Sequence, residues 1–127
     1  MAYLEGKNLV ASYGVVPILH ECSVEVEKGE LAVIVGPNGA GKSTVLHSIF
    51  GFTNIFSGEI KTRISDSERT ITEMSPNQKL EVAGISYILQ DNSVFPDMTV
   101  EENLMMGGYL KQNTDAAKES TERIFEK

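Results

Sequence analysis

The 127-residue sequence lacks the usual marks of a secreted or membrane-spanning protein. Its single cysteine, Cys22, excludes a disulfide within the chain and offers no thiol pair for zinc, so we expect a buried structural thiol. No apolar run approaches the roughly 18 residues that a membrane span requires. Residues 1–5 also lack the basic and then apolar order of a secretory signal peptide. We therefore expect a cytosolic chain.

An excess of positive charge is also absent. The 11 Lys and Arg residues are scattered and are outnumbered by 18 Asp and Glu residues, which gives a net charge of −7. Proteins that bind nucleic acids usually present a basic surface, so we expect no nucleic acid partner. The acidic total still allows a nucleotide, because the field of a phosphate-binding loop is local. It favours ATP complexed with Mg²⁺ over free ATP, since the metal lowers the charge of the anion.

The sequence does contain a phosphate-binding motif, at residues 36–44, which fits the pattern G-x-x-x-x-G-K-[ST]. The unbroken apolar run at 31–35 precedes it and predicts a buried strand. Apolar residues on one face of the segment 45–50 predict a helix after it, which Gly51 ends. This context favours a phosphate loop over a chance match on a glycine turn. The motif consists of Gly36, Pro37, Asn38, Gly39, Ala40, Gly41, Lys42, Ser43 and Thr44.

Each residue type in the motif suits one part of phosphate binding. The glycines can adopt backbone angles that other residues avoid, and they let phosphates approach the main chain. Successive N–H groups and the start of the following helix then attract an anion. Lys42 supplies a charge for the β- and γ-phosphates, and Ser43 a hard oxygen ligand for Mg²⁺.

Strand and helix signals also occur outside the motif. The capping box formed by Thr99 and Glu102 begins one predicted helix. The last predicted helix reaches its first strong apolar residues, Ile124 and Phe125, just as the sequence stops, so we expect a chain that has been cut short. The predicted elements are strands at 3–10, 19–26, 57–61 and 84–89, a polar connection at 62–80 with a short helix after Pro76, and helices at 99–110 and from 113.

Several stretches together resemble one family. Five of them are similar to sequence motifs of the ABC-type ATPases. They are the phosphate loop, Tyr13-Gly14, Lys28-Gly29-Glu30, Ser57-Gly58-Glu59-Ile60 and Tyr87-Ile88-Leu89-Gln90. Residues 3–110 resemble the N-terminal half of such a subunit. The sequence of residues 94–104 resembles that of the subgroup that serves branched-chain amino acid importers. The connection 62–80 departs from the family pattern, because it lacks an Asp-Gly turn.

The resemblance implies an α/β fold, namely part of the P-loop NTPase core of ABC ATPases, with an N-terminal antiparallel β region. It implies an ATP-binding core over 1–90 and the start of the helical subdomain over 91–127. It also implies partners: transmembrane permease subunits and a second ATP-binding subunit in a head-to-tail dimer. The expected location is the cytoplasmic face of the plasma membrane.

The resemblance also implies roles for residues outside the loop. Tyr13 would stack on adenine and Val16 would pack beside it, although both fit ordinary strand positions. Gln90 would contact Mg²⁺ or the attacking water, and its alternative is a solvated residue at a strand end. His20 and His47 receive no role, and we expect His47 to be solvated or capped. A docking surface for the permease would include Val94, Phe95, Pro96 and Met98, which also suit plain turn packing.

Two features that ABC ATPases need for hydrolysis do not occur in the sequence. There is no apolar run ending in Asp-Glu and no Ser-Gly-Gly signature. We therefore expect Lys42 and Gln90 to be the catalytic residues present, and this chain alone to be inactive and to expose an apolar edge at 31–35. The leading hypothesis is the ATP-binding subunit of an ABC importer for branched-chain amino acids, which in its full-length form would hydrolyse ATP to drive transport. The alternatives are a soluble ABC ATPase and a nucleotide-binding module without turnover.

Overall fold

The computed structural model describes residues 2–64, 66–109 and 113–127. They divide into two compact units, Met1–Tyr87 and Ile88–Lys127. None of the helices in these ranges is long and apolar enough to cross a membrane. The elements of the first unit are β1 (Leu4–Ser12), β2 (Leu19–Val26), α1 (Lys42–Phe50), β3 (Asn54–Thr62), β4 (Arg69–Thr70) and α2 (Pro76–Glu81), and those of the second are α3 (Val100–Met106) and α4 (Thr114–Phe125).

The first unit is built on an antiparallel sheet with the strand order β2-β1-β3-β4. The long central strand β1 pairs with β2 on one side and with β3 on the other. The register shifts after Lys7 in the β1–β3 pairing, which marks a bulge. Gly58 faces that bulge with a φ of 96°, and a Cβ there would lie 2.6 Å from the carbonyl oxygens of Lys7 and Asn8. Only glycine therefore fits this crossing.

Two apolar clusters hold the first unit together. One consists of Leu9, Ile60, Ile71 and Ala83, and it joins the sheet to the segment that follows α2. The other consists of Ala11, Leu19, Val45 and Ile49, and it seats α1 against β1 and β2. Cys22 is half-buried against this second cluster rather than fully buried. The packing of α1 fixes where the phosphate motif lies, because the motif leads directly into this helix.

Most of the predicted elements are present with small changes in length. The strands predicted at 3–10 and 19–26 are β1 and β2, and the strand predicted from 57 begins earlier, at Asn54. The helix predicted after Pro76 is α2, with a capping box between Ser75 and Gln78. The short strand β4, inside the polar connection, was not predicted.

The strands predicted at 31–35 and 84–89 are wrong for this structure. Neither segment belongs to a strand, and Leu31 and Val35 are 89% and 85% exposed. An apolar strand needs a hydrogen-bonded neighbour on each side to be buried, and no described segment pairs with either one. The apolar side chains of 31–35 therefore remain exposed, as expected, whereas Ile85 and Tyr87 are half-buried without belonging to a strand.

The second unit contains a helical pair. Thr99 caps α3 through the predicted capping box with Glu102. This helix ends at Met106, earlier than predicted, and position 110 lies outside the described residues. From within α3, the Asn103 side chain reaches the preceding loop, where it accepts from the Phe95 N–H and donates to the carbonyls of Phe95, Met98 and Thr99. This side chain thus holds the loop that contains the predicted docking residues.

Candidate nucleotide-binding site

The loop at 36–41 has the backbone shape that its glycines predict, with one exception. Gly39 and Gly41 have φ values of 82° and 94°, a region that side chains other than glycine rarely adopt. A Cβ on Gly41 would also lie 3.2 Å from Cδ2 of Leu19. Gly36 has no positive φ, so the conformational freedom predicted for it is not used. A turn between the Ala40 N–H and the Pro37 carbonyl, at 3.2 Å, closes the loop.

The N-terminus of α1 offers unpaired donors at the end of this loop. The helix begins at Lys42, its N-cap is Gly41, and no side chain caps it. Its first turn contains no acidic residue that would neutralise the positive end of the helix dipole. The first N–H groups of a helix have no partner within it, so this end can accept an anion such as a phosphate.

Lys42 lies across the same loop. Its Nζ donates to the carbonyl oxygens of Gly36 at 2.8 Å and of Pro37 at 2.7 Å. The loop thus holds the ammonium group next to the helix N-terminus through its own main chain. A cation and a set of N–H donors at one place suit the terminal oxygens of a polyphosphate.

Ser43 and Thr44 follow Lys42 and differ in exposure. Thr44 is buried, and its carbonyl accepts from the Ser48 hydroxyl at 2.6 Å. Ser43 is exposed, and no described residue forms a hydrogen bond with its hydroxyl. In the described ranges no group of three or more His, Cys, Asp or Glu side chains is suited to a metal. The Ser43 hydroxyl is thus an accessible hard oxygen, the kind of ligand that suits Mg²⁺.

Tyr13 and Val16 lie in the loop between β1 and β2. Val16 is 79% exposed. Tyr13 is half-exposed, and its hydroxyl forms a hydrogen bond with Nδ1 of His47 on α1. The two rings meet edge to face with their centroids 5.6 Å apart. The structure thus connects Tyr13 to the helix that carries Lys42, and the contact with His47 is one that the sequence did not predict.

Gln90 and the predicted docking residues belong to the second unit. Gln90 lies exposed at a bend directly after the segment 84–89, which belongs to no strand. Phe95 is half-exposed, and Val94, Pro96 and Met98 are exposed too. The roles assigned to these residues therefore stay predictions.

Comparison with known proteins agrees with this geometry. Residues 19–127 match the model of the family described as ABC transporter. The chain belongs to this family. Its antiparallel sheet and helices form part of the ABC ATPase fold, as the resemblance implied.

Curated ABC transporter relatives include importers of different substrates. The sn-glycerol-3-phosphate import ATP-binding protein UgpC of Ruegeria sp. is 36% identical over 116 residues, which cover 91% of this chain and 31% of that protein. The high-affinity branched-chain amino acid transport ATP-binding protein BraG of Pseudomonas aeruginosa is 38% identical over 103 residues, covering 81% of this chain and 42% of BraG. The chain thus spans less than half the length of these relatives.

Solved ATP-binding cassettes of ABC transporters share the fold. A nucleotide-free cassette superposes with a TM-score of 0.77 at 30% identity and covers 99% of this chain and 52% of its own length. A cassette in its ADP conformation gives a TM-score of 0.73 at 31% identity, over 100% of this chain and 46% of its own length.

Proposed function

We propose that this chain binds the triphosphate of Mg-ATP in the loop 36–44, as part of the ATP-binding subunit of an ABC importer. The observation that carries the proposal is the position of Lys42, whose Nζ the Gly36 and Pro37 carbonyls hold beside the uncapped start of α1. A charge-assisted contact to an incoming phosphate oxygen is stronger than a contact to a neutral carbonyl. The ammonium group can therefore exchange the loop carbonyls for phosphate.

The other predicted site residues would contact different parts of the bound Mg-ATP. Ser43 would donate its free hydroxyl oxygen to Mg²⁺, which supplies charge neutralisation between the phosphates when it is bound. Tyr13 and Val16, on the exposed β1–β2 loop, would contact the adenine. Gln90 would orient water or touch the metal. These assignments rest on the family pattern and on the accessibility of each side chain.

In the whole protein we propose ATP hydrolysis coupled to transport. Residues 1–127 contain no apolar run ending in Asp-Glu and no Ser-Gly-Gly, so the groups that activate water and complete the site would lie elsewhere. The partners would be transmembrane permease subunits and a second ATP-binding subunit arranged head to tail. The complex would work at the cytoplasmic face of the plasma membrane.

The proposed cargo is a branched-chain amino acid. The sequence of residues 94–104 and the similarity to BraG support this cargo. The similarity to UgpC makes sn-glycerol-3-phosphate the alternative cargo. Uptake of labelled leucine and of labelled sn-glycerol-3-phosphate, measured with the complete transporter in vesicles, separates the two. ATP-dependent uptake of sn-glycerol-3-phosphate without leucine uptake would refute the amino acid assignment.

Lys42→Ala in the complete protein tests the ATP-binding role. We expect ATP binding to weaken at least tenfold, since one charged contact to phosphate contributes about 1.5–3 kcal/mol. Titration calorimetry with Mg-ATP measures the effect. Lys28→Ala is the matched control, because it removes the same side chain from an exposed turn of the same unit. Equal affinities in the two variants would overturn the proposal.

A further inference from the structure

His47 lies at the centre of an aromatic cluster on the C-terminal half of α1. Its ring contacts Tyr13, Phe52 and Tyr87, with centroid distances of 5.6, 5.6 and 5.2 Å. Phe52 and Tyr87 also contact each other and Phe50. Edge-to-face and tilted pairs at these separations are favourable. The imidazole is therefore fixed from two sides by rings that do not belong to the phosphate loop.

Tyr13, by contrast, lies outside the helices and strands, and its side chain is half-exposed. It lies on the connection between β1 and β2, where its neighbours Val15 and Val16 are largely exposed. The anchor that the structure gives its side chain is the hydrogen bond between its hydroxyl and Nδ1 of His47. In the tautomer protonated at Nε2, the hydroxyl donates and Nδ1 accepts. This bond holds the far end of the ring while the half-exposed ring stays accessible.

We propose that His47 is a positioning residue that holds Tyr13 as the platform for the nucleobase. The inference rests on the proposed ATP-binding function and goes one step further, because it assigns the orientation of the platform to α1. A stacking ring works best when its rotamer is set before the ligand arrives, since ordering a free side chain costs conformational entropy. The same helix would then present the phosphate donors at its start and fix the base platform five residues after Lys42.

Removing the hydrogen bond while keeping the rings tests this inference. In the complete protein, His47→Phe keeps an aromatic side chain against Phe52 and Tyr87 but removes the acceptor for Tyr13. We expect Mg-ATP binding to weaken roughly 3- to 10-fold, the equivalent of one net hydrogen bond. Binding of Mg-tripolyphosphate, which has no base, should stay unchanged. A merely structural role of His47 would weaken both ligands, so the ratio of the two affinities is the decisive readout.

Three further variants define the result. Tyr13→Phe removes the other partner of the same bond and should act like His47→Phe, and the double variant should be no worse than either single one. His47→Asn keeps an acceptor near the place of Nδ1 and should restore much of the ATP affinity. His20→Phe makes the same chemical change at an exposed position of β2 and should alter neither affinity.

The outcomes separate this inference from the function on which it rests. If wild-type protein binds tripolyphosphate and ATP with the same affinity, or Tyr13→Ala leaves their ratio unchanged, the base platform itself is refuted. If Tyr13→Ala lowers the ratio but His47→Phe does not, the platform stands and the positioning role of His47 is overturned. Additive losses in the double variant would also overturn it.

Discussion

At the scale of single residues, the phosphate loop depends on backbone angles that a side chain would oppose. Gly41 combines a φ of 94° with a contact of 3.2 Å from a hypothetical Cβ to Leu19. Gly39 has a φ of 82° but nothing within 4 Å of a Cβ. A side chain at position 39 would therefore meet only backbone strain, whereas one at position 41 would meet both backbone strain and steric crowding.

The residue-scale prediction is that Gly41→Ala destabilises the protein more than Gly39→Ala. The left-handed conformation costs an L-residue about 1–2 kcal/mol at either position, and the contact with Leu19 adds to it only at position 41. The free energy of unfolding in urea measures both losses. Gly14→Ala is the control, since its φ is not positive and a Cβ there meets nothing within 4 Å, so little change is expected. Equal stabilities of the Gly41 and Gly14 variants would contradict this.

The residue scale also shows what the sequence could and could not predict of the site. The motif 36–44 and the resemblance around Tyr13 are local patterns, so they can be read without a structure. The contact between Tyr13 and His47 is not local, because 34 positions separate them and only the packing of α1 on β1 and β2 brings them together. His47 lies off the Val45/Ile49 face of the predicted helix, which is why it was expected to be solvated or capped.

At the scale of elements, a buried lysine joins α2 to the end of α1. The Lys79 side chain is fully buried, and its Nζ donates to the Ile49 carbonyl at 2.7 Å, in the last turn of α1. The C-terminal carbonyls of a helix lack partners and carry the negative end of the dipole, so a cation suits this place. Burial nevertheless lowers the pKa of Lys79 from 10.5 to about 8, while Glu73 opposes the shift.

The element-scale prediction concerns the pH dependence of stability. Between pH 8 and 10.5 the unfolded chain keeps the Lys79 proton that the folded chain has lost, so unfolding takes up a proton. The free energy of unfolding should therefore gain a contribution that rises with pH, by at most about 1.4 kcal/mol per unit. Lys79→Met keeps the apolar stem but cannot titrate. The wild-type curve minus the Lys79→Met curve should rise through this range, and parallel curves would refute the assignment.

The elements also show why part of the fold escaped prediction. Local sequence patterns sufficed for β1 and β2, which are neighbours in sequence and pair with each other. Lys79 and β4 lie in a polar stretch without a period, so neither the burial nor the strand had a sequence signal. At 31–35 and 84–89 the sequence signal was present but the predicted strand is not. A strong apolar run forms a strand only where a neighbouring strand exists to pair with it.

At the scale of the whole molecule, the chain exposes apolar side chains next to the phosphate loop. Leu31, Val33 and Val35 are all largely exposed on the segment before the phosphate loop, which belongs to no strand. The chain spans about half the length of the solved cassettes that it resembles. An exposed apolar segment that belongs to no sheet can pair with another chain.

The whole-molecule prediction is that the 127-residue chain self-associates through this segment. Pairing between copies would satisfy the backbone groups of 31–35 and remove three apolar side chains from water. Val33→Lys should shift the protein toward the monomer, because a charge on an edge opposes pairing. Val15→Lys makes the same change on the exposed β1–β2 loop and should leave the association unchanged. Light scattering over a concentration series measures the mass, and a stable monomer of the unaltered chain would show that the segment is not an association edge.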